Sequence, residues 1–150
     1  MIENQLLPHS KQLRIGRASL PHHAYLVTMV TKSRVKIFAR HESAAVAAKC
    51  LYDDIIVLRA DTLAFVVMPD HLHWLLQLGE LASLSETVRL YKAKVSIMLG
   101  QRIWQNGFHD HAVRAEENIV DVARYIVANP LRAGLCDKIG NYPYWNAVWL

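Results

Sequence analysis

The alternation of apolar and polar positions divides the first half of the chain into three predicted strands. Positions 24–31 alternate and are rich in β-branched residues, which predicts the first strand. A nearly continuous apolar run at 62–68 predicts a buried second strand, and Pro69-Asp70 predicts a turn into a third strand at 71–78. Because this turn is short, we expect the second and third strands to pair antiparallel.

Three further segments have helical patterns. Positions 43–58 are alanine-rich, and Ser83 with Glu86 fits a capping box for a helix that ends at Gly100. Residues 116–128 predict a third helix that ends at Asn129-Pro130, because proline disfavours a helical residue before it. The segment 102–113 has no clear period and is where a fourth strand would fit.

The resulting order, β-α-β-β-α-β-α, predicts an α+β fold with a ferredoxin-like antiparallel sheet and helices packed on it. We interpret residues 1–150 as one domain. Residues 1–21 form a basic arm in this interpretation, and residues 136–150 form an aromatic tail that packs back on the body.

Composition limits the classes of function. The 150 residues are 53% hydrophobic and 20% charged, which is typical of a folded globular protein. Cys50 and Cys136 are too few for a disulfide scaffold, so we expect reduced thiols in a cytoplasmic protein. The longest apolar run is too short to cross a membrane, and no membrane partner is expected. A net charge of +4 permits a polyanionic partner without requiring one.

Two His-x-His pairs are candidates for metal binding. In a strand, His71 and His73 point to the same face and together would chelate a divalent metal, but they could equally be two surface histidines. His109 and His111 form a second pair, and all four imidazoles together would suit a tetrahedral zinc site. The alternative for the second pair is a polar loop, and the pattern leaves both interpretations open.

Tyr125 is a candidate nucleophile because it does not belong to the apolar stripe of its helix. The stripe consists of Ile119, Val122, Ala123, Ile126 and Val127. Tyr125 therefore faces a cleft or solvent, and Asn129 follows it by one helical turn. An exposed tyrosine at a helix edge is the alternative.

Basic residues in two stretches could contact phosphates. They lie before the first predicted helix and on the polar side of the second, and the candidates are Lys32, Arg34, Lys36, Arg89 and Lys92. A solvated loop and helix face are the alternative for both stretches.

Several of these segments resemble the single-tyrosine HUH transposases, and most closely the bacterial REP-associated tyrosine transposases. The resemblance rests on positions 64–73, which end in His71-Leu72-His73, on 104–108, on Asp110-His111 and on 124–135. With the first strand and Tyr142-Pro143, these positions cover most of the chain. Positions 64–73 and 124–135, in this order and at this distance, are together specific for the family, although either block alone would be weak evidence.

The resemblance implies an activity and roles for four residues. His71 and His73 match the histidines of the HUH motif, Asn129 matches the third metal ligand and Tyr125 matches the nucleophile. The implied reaction is metal-dependent cleavage and strand transfer of single-stranded DNA through a 5′-phosphotyrosine, with Mg²⁺ or Mn²⁺ as cofactor. The implied substrates are hairpin-forming repetitive palindromes. A homodimer and a monomer are both compatible with the sequence, and the second histidine pair has no assigned role.

A catalytically inactive nucleic-acid-binding module derived from a transposase is the main alternative. The presence of all four matching residues argues against it. A zinc protein that uses both His-x-His pairs is the second alternative.

Overall fold

The computed structural model describes residues 19–149, which form a five-stranded antiparallel sheet with helices on both faces. The strands are β1 (Ala24–Val30), β2 (Ala60–Met68), β3 (His71–Leu78), β4 (His109–Ala112) and β5 (Trp145–Ala147). Their spatial order is β4-β1-β3-β2-β5, so the first four strands have the ferredoxin-like arrangement and the predicted α+β class is confirmed. Residues 1–18 of the expected basic arm lie outside the described residues.

In the described part of the chain, five helices and three short 3₁₀ turns connect the strands. The helices are α1 (His41–Cys50), α2 (Asp54–Val57), α3 (Leu84–Leu99), α4 (Ile119–Val127) and α5 (Asn129–Arg132). The 3₁₀ turns are Lys32–Arg34, Ile37–Ala39 and Ile139–Asn141. Within residues 19–149, no helix is long and apolar enough to span a lipid bilayer.

Side-chain caps explain where two predicted helices differ from the observed ones. The stretch 43–58 is not one helix, because the Asp53 carboxylate accepts the N–H of Ile55 at 3.1 Å and starts α2 as a separate element. The helix predicted from residue 116 begins at Ile119, because the Asn118 side chain caps it by accepting the N–H of Val120 at 2.9 Å. Strand β5 was not predicted.

The sheet separates two apolar cores. On one face, Leu72 and Trp74 of β3 pack with residues of α1 and α3, including the buried Tyr91. On the other face, Val66 and Leu75 pack with the buried stripe of α4, which confirms the apolar positions predicted for that helix. Because side chains alternate along a strand, His71 and His73 lie on this second face with α4.

The β2–β3 hairpin and the aromatic tail support each other. The turn at Pro69-Asp70 is held by the segment that follows β1, since the Pro69 carbonyl accepts the N–H of Phe38 at 2.9 Å. The tail packs on β2 as expected, because the Tyr142 hydroxyl donates to the Val67 carbonyl at 2.6 Å and Trp145–Ala147 pairs with the strand as β5. The hairpin that carries the two histidines is therefore fixed on several sides.

Candidate active site

His71 and His73 form the first part of the site. They occupy alternate positions at the start of β3, and their ring centroids are 4.9 Å apart with an interplanar angle of 79°. The alternation of the strand sends both rings to the face that α4 covers in part. The side-by-side arrangement predicted from the sequence is therefore present.

Asp70 orients the first histidine. One oxygen of its carboxylate lies 2.7 Å from His71 Nδ1, and the other accepts a hydrogen bond from Arg34 at 3.3 Å. Partial burial acts to raise the pKa of Asp70, but the hydrogen bond from His71 and the charges of His71 and Arg34 outweigh it and lower the pKa. An ionised Asp70 can accept a hydrogen bond from the Nδ1–H of His71, the arrangement in which Nε2 of the neutral ring offers its lone pair to a metal.

Thr28 orients the second histidine. Its hydroxyl lies 2.9 Å from His73 Nδ1, across the β1–β3 ladder. Burial, with smaller contributions from the charges of His71 and Arg132, lowers the pKa of His73 to about 3. His73 is therefore neutral at physiological pH, which is the form that ligates metals.

Tyr125 projects from α4 as the sequence predicted. Its side chain is 66% exposed, the largest exposure among the tyrosines of the described chain. The Arg132 guanidinium lies over its ring, 4.1 Å from the centroid, in cation–π geometry. The charge of Arg132 also contributes, after burial and the charge of His71, to the lowered pKa of His73.

Asn129 is oriented by the proline that follows it. Pro130 has no N–H to donate to the Ile126 carbonyl four residues earlier, and the Asn129 side-chain amide donates to that carbonyl instead, at 2.8 Å. The helix then continues through α5, with the N–H of Ala133 bonded to the Asn129 carbonyl at 2.9 Å. This hydrogen bond engages the amide nitrogen of Asn129. The amide oxygen points away from the Ile126 carbonyl and stays available as an acceptor.

The donor set fits a divalent cation that keeps open coordination positions. His71 and His73 each present Nε2, and an amide oxygen such as that of Asn129 is a ligand that Mg²⁺ and Mn²⁺ accept. Residues 19–149 contain no group of three or more His, Cys, Asp and Glu side chains arranged to hold a metal. In the sequence pattern, Asn129 is the candidate for a third protein ligand beside the two imidazoles.

The second histidine pair does not join the first. Thr28 of β1 aligns with His73 on one side and with His109 on the other. Neighbouring strands are about 4.8 Å apart, so roughly 10 Å separates the backbones of the two pairs. Because residues 19–149 contain no group of three or more His, Cys, Asp and Glu side chains placed to hold a metal, the four-histidine zinc site considered from the sequence is wrong for the described chain.

Comparison with known protein families shows the family of this chain. The family model described as transposase IS200-like matches residues 19–129, which is most of the chain. This chain belongs to the IS200-like transposase family. The resemblance to REP-associated tyrosine transposases noted in the sequence is confirmed by its relatives.

Two curated relatives resemble this chain over part of their length. The REP-associated tyrosine transposase of Escherichia coli is 31% identical over 84 residues, which is 54% of this chain and 50% of that protein. A Haemophilus influenzae protein with the same designation, there given provisionally, is 25% identical over 100 residues, or 56% of this chain and 57% of its own. The chain thus spans about half the length of these relatives.

A solved structure shares the fold of this chain. A REP-associated tyrosine transposase bound to a REP hairpin superposes with a TM-score of 0.69 at 24% identity. The match covers 86% of this chain and 79% of the other.

Three of the predicted DNA-binding residues lie in the segment that follows β1, at the end of the strand that aligns with His71. Lys32, Arg34 and Lys36 are exposed in the segment after β1, whose last residue, Val30, aligns with His71. Arg34 has a φ of 56°, which is uncommon for a residue other than glycine, and it reaches the Asp70 carboxylate from this position. Their contact with DNA stays a prediction.

The other two predicted DNA-binding residues lie on α3, which packs on the opposite face of the sheet. Arg89 is exposed, and its guanidinium lies 3.8 Å from the Glu86 carboxylate. Lys92 was predicted to contact phosphate from the polar side of this helix, but in the structure its ammonium donates to the carbonyls of Gln105 and Gly107 at 2.9 and 2.7 Å. Burial lowers the pKa of Lys92 to about 8. Lys92 thus anchors the segment before β4 to α3.

Sequence reasoning missed three residues that shape the site. Arg132 lies seven positions after Tyr125, a spacing that returns to the same face of a helix and could have indicated the contact. Asp70 was interpreted only as a turn residue, although it precedes His71. The role of Thr28 depends on the pairing of β1 with β3, which local patterns do not determine.

Proposed function

We propose that this transposase cleaves and rejoins single-stranded DNA with Tyr125 as the nucleophile and a divalent cation held by His71, His73 and Asn129. The observation that carries the proposal is the pair of adjacent imidazoles whose Nδ1 atoms are engaged by Asp70 and Thr28. Such outer partners fix ring orientation in metal sites. The cation would neutralise charge on a non-bridging oxygen of the scissile phosphate.

The residues of the chain have separate tasks in this reaction. The Tyr125 oxygen attacks phosphorus and the bond from phosphorus to the 3′-oxygen breaks, so a 5′-phosphotyrosine and a free 3′-hydroxyl form. The net proton movement is from the phenol to the departing 3′-oxygen. Arg132, stacked on the Tyr125 ring, restrains the nucleophile and brings positive charge to the phosphate. Attack by a 3′-hydroxyl on the phosphotyrosine reverses the step and transfers the strand without ATP.

The proposed DNA substrate is a hairpin of a repetitive palindrome with unpaired flanks. Two observations support it: the names of the curated relatives, and the solved neighbour bound to a REP hairpin. The basic segment that contains Lys32, Arg34 and Lys36 lies at the histidine end of β3, where it can hold a phosphate backbone.

Denaturing electrophoresis of the protein with end-labelled hairpin DNA tests the proposal. A Mg²⁺- or Mn²⁺-dependent covalent adduct is expected with the wild type and with Tyr52→Phe, which alters another exposed tyrosine. Tyr125→Phe should give no adduct. A chain that binds the hairpin but gives no adduct with any palindromic substrate would support the alternative, an inactive binding module.

A further inference from the structure

A cavity of about 220 Å³ lies on the histidine-bearing face of the sheet, away from the strands that α4 covers. Leu26 and Thr28 of β1 line it, together with His109, Asp110 and His111 of β4. None of the functions described above uses this cavity. Its position beside the proposed metal site suggests that it receives part of the substrate.

Thr28 connects the cavity to the proposed metal site. Its hydroxyl contacts His73 Nδ1 at 2.9 Å, and the same residue lines the cavity. His109 aligns with Thr28 from the other side, so its backbone lies roughly 10 Å from that of His73. A single nucleotide spans such a distance. A strand with its phosphate at the histidine pair can therefore place a neighbouring base over β1 and β4.

The wall of the cavity is held by hydrogen-bond contacts between His111 and Glu117. Both carboxylate oxygens of Glu117 lie 3.0 Å from His111 Nε2, and one of them accepts the N–H of Arg114 at 2.8 Å. The His111 side chain is 11% exposed. These contacts fix the ring against the sheet, so the wall is formed before any ligand arrives.

Two polar atoms of the wall have no partner in the protein. Among the described residues, the Nδ1 atoms of His109 and His111 are buried without a hydrogen bond. A buried polar atom without a partner destabilises the fold. The terminal torsion of histidine is soft, so a small rotation of the His109 ring would let the polar edge of a ligand supply its missing partner.

The lining favours a nucleobase over a phosphate. It contains no lysine or arginine, whereas phosphate sites are usually built with such cations. Two imidazole rings and the side chain of Leu26 offer surfaces on which a planar base can stack. The volume admits one purine or pyrimidine ring system and is too small for a base pair. The fitting ligand is a single unpaired base.

We propose that this cavity binds one unpaired nucleobase adjacent to the cleaved phosphate and so fixes the cleavage position on the strand. The proposal rests on the proposed function, because it places the phosphate at His71 and His73. It gives the second histidine pair a role in reading DNA rather than in holding a metal.

A scan of abasic sites tests the proposal by equilibrium binding. The probe is a hairpin oligonucleotide, chosen for wild-type binding from a pool with randomised unpaired flanks, in which each flank base is removed in turn. We expect one position where base removal weakens wild-type binding roughly 5- to 150-fold, the range for loss of one stacked base. In His109→Ala, removal of the same base should have little further effect.

Matched variants keep the result interpretable. His23→Ala removes an exposed histidine outside the cavity and should retain the full abasic effect. His109→Gln, which lacks the ring but keeps a polar side chain, replaces His109→Ala if the alanine variant does not fold. No sensitive position in the wild type, or an undiminished abasic effect in the His109 variant, would overturn the proposal. Because the readout is binding, a missing covalent adduct would reject the proposed function without affecting this measurement.

Discussion

Asn129 combines a structural hydrogen bond with a proposed metal ligand, and mutation can separate the two. Its amide nitrogen donates to the Ile126 carbonyl at 2.8 Å, where Pro130 has no N–H to offer. Asn129→Ala leaves that carbonyl without its partner in a half-buried position. We expect a loss of about 1–2 kcal/mol in the free energy of unfolding. For a chain of this size, that loss lowers Tm by about 2–8 °C.

Pro130→Ala supplies the backbone N–H that the helix lacks at this position. In that background the Ile126 carbonyl can accept a main-chain hydrogen bond, so the further change Asn129→Ala should cost little stability. The double-mutant cycle should then give a coupling of about 1 kcal/mol. The proposed metal ligand is still absent in the double variant. Its Mn²⁺ affinity should therefore be weakened as much as in Asn129→Ala alone, by at least about tenfold.

Urea denaturation followed by circular dichroism gives the four stabilities, and calorimetric titration with Mn²⁺ gives the affinities. Asn129→Asp adds a third comparison, because it loses the amide donor but keeps an oxygen ligand. It should lose stability and retain metal binding. If Asn129→Ala lowers the free energy of unfolding equally in the wild-type background and in the Pro130→Ala background, the hydrogen-bond argument is refuted. Unchanged Mn²⁺ affinity in Asn129→Ala would instead refute the assignment of the ligand.

Three other residues give independent predictions. Arg132→Gln should slow formation of the covalent adduct by roughly tenfold or more and leave hairpin affinity nearly unchanged. The control Arg124→Gln, which alters an exposed arginine of the same helical region, should form the adduct at the wild-type rate. Equal rates in the two variants would remove Arg132 from the site. Lys36→Ala should lower the salt dependence of hairpin binding by about one unit of slope without changing its metal dependence, and an unaltered slope would exclude a phosphate contact. Folding lowers the pKa of Lys92 from 10.5 to about 8, so the folded chain binds fewer protons between these values. The stability of the wild type relative to Lys92→Met should therefore rise from pH 8 to pH 10, and urea denaturation that shows a fall would contradict the burial of the ammonium.

Local sequence patterns were sufficient where an element has a strong period and clear end signals. The β2–β3 hairpin was predicted with the third strand at its observed bounds, because an apolar run is followed by Pro69-Asp70. The capping serine of α3 was also predicted: the Ser83 hydroxyl accepts the N–H of Glu86 at 3.1 Å, and Gly100 ends the helix with a φ of 74°.

The missed features depend on contacts between distant parts of the chain. Strand β5 has three residues, too few for a period, and forms because Trp145–Ala147 pairs with β2. Lys92 has the spacing of a solvated residue, and only the path of the segment before β4 brings carbonyls to its ammonium. Local patterns singled out His71, His73 and Tyr125 as separate candidates, and the family resemblance joined them into one candidate site. The engagement of His73 by Thr28 required the register of β1.

Mapping the position of the covalent adduct tests the central claim most directly. The tyrosines of the described chain differ in exposure. Tyr125 is the most exposed at 66%, and Tyr52 is next at 47%. After reaction with hairpin DNA and Mn²⁺, nuclease trimming, proteolysis and mass spectrometry should find a nucleotide phosphate on Tyr125 and on no other tyrosine. The modification should disappear in the His71→Ala/His73→Ala variant. A modified tyrosine elsewhere, or modification of Tyr125 that persists without both histidines, would contradict the account.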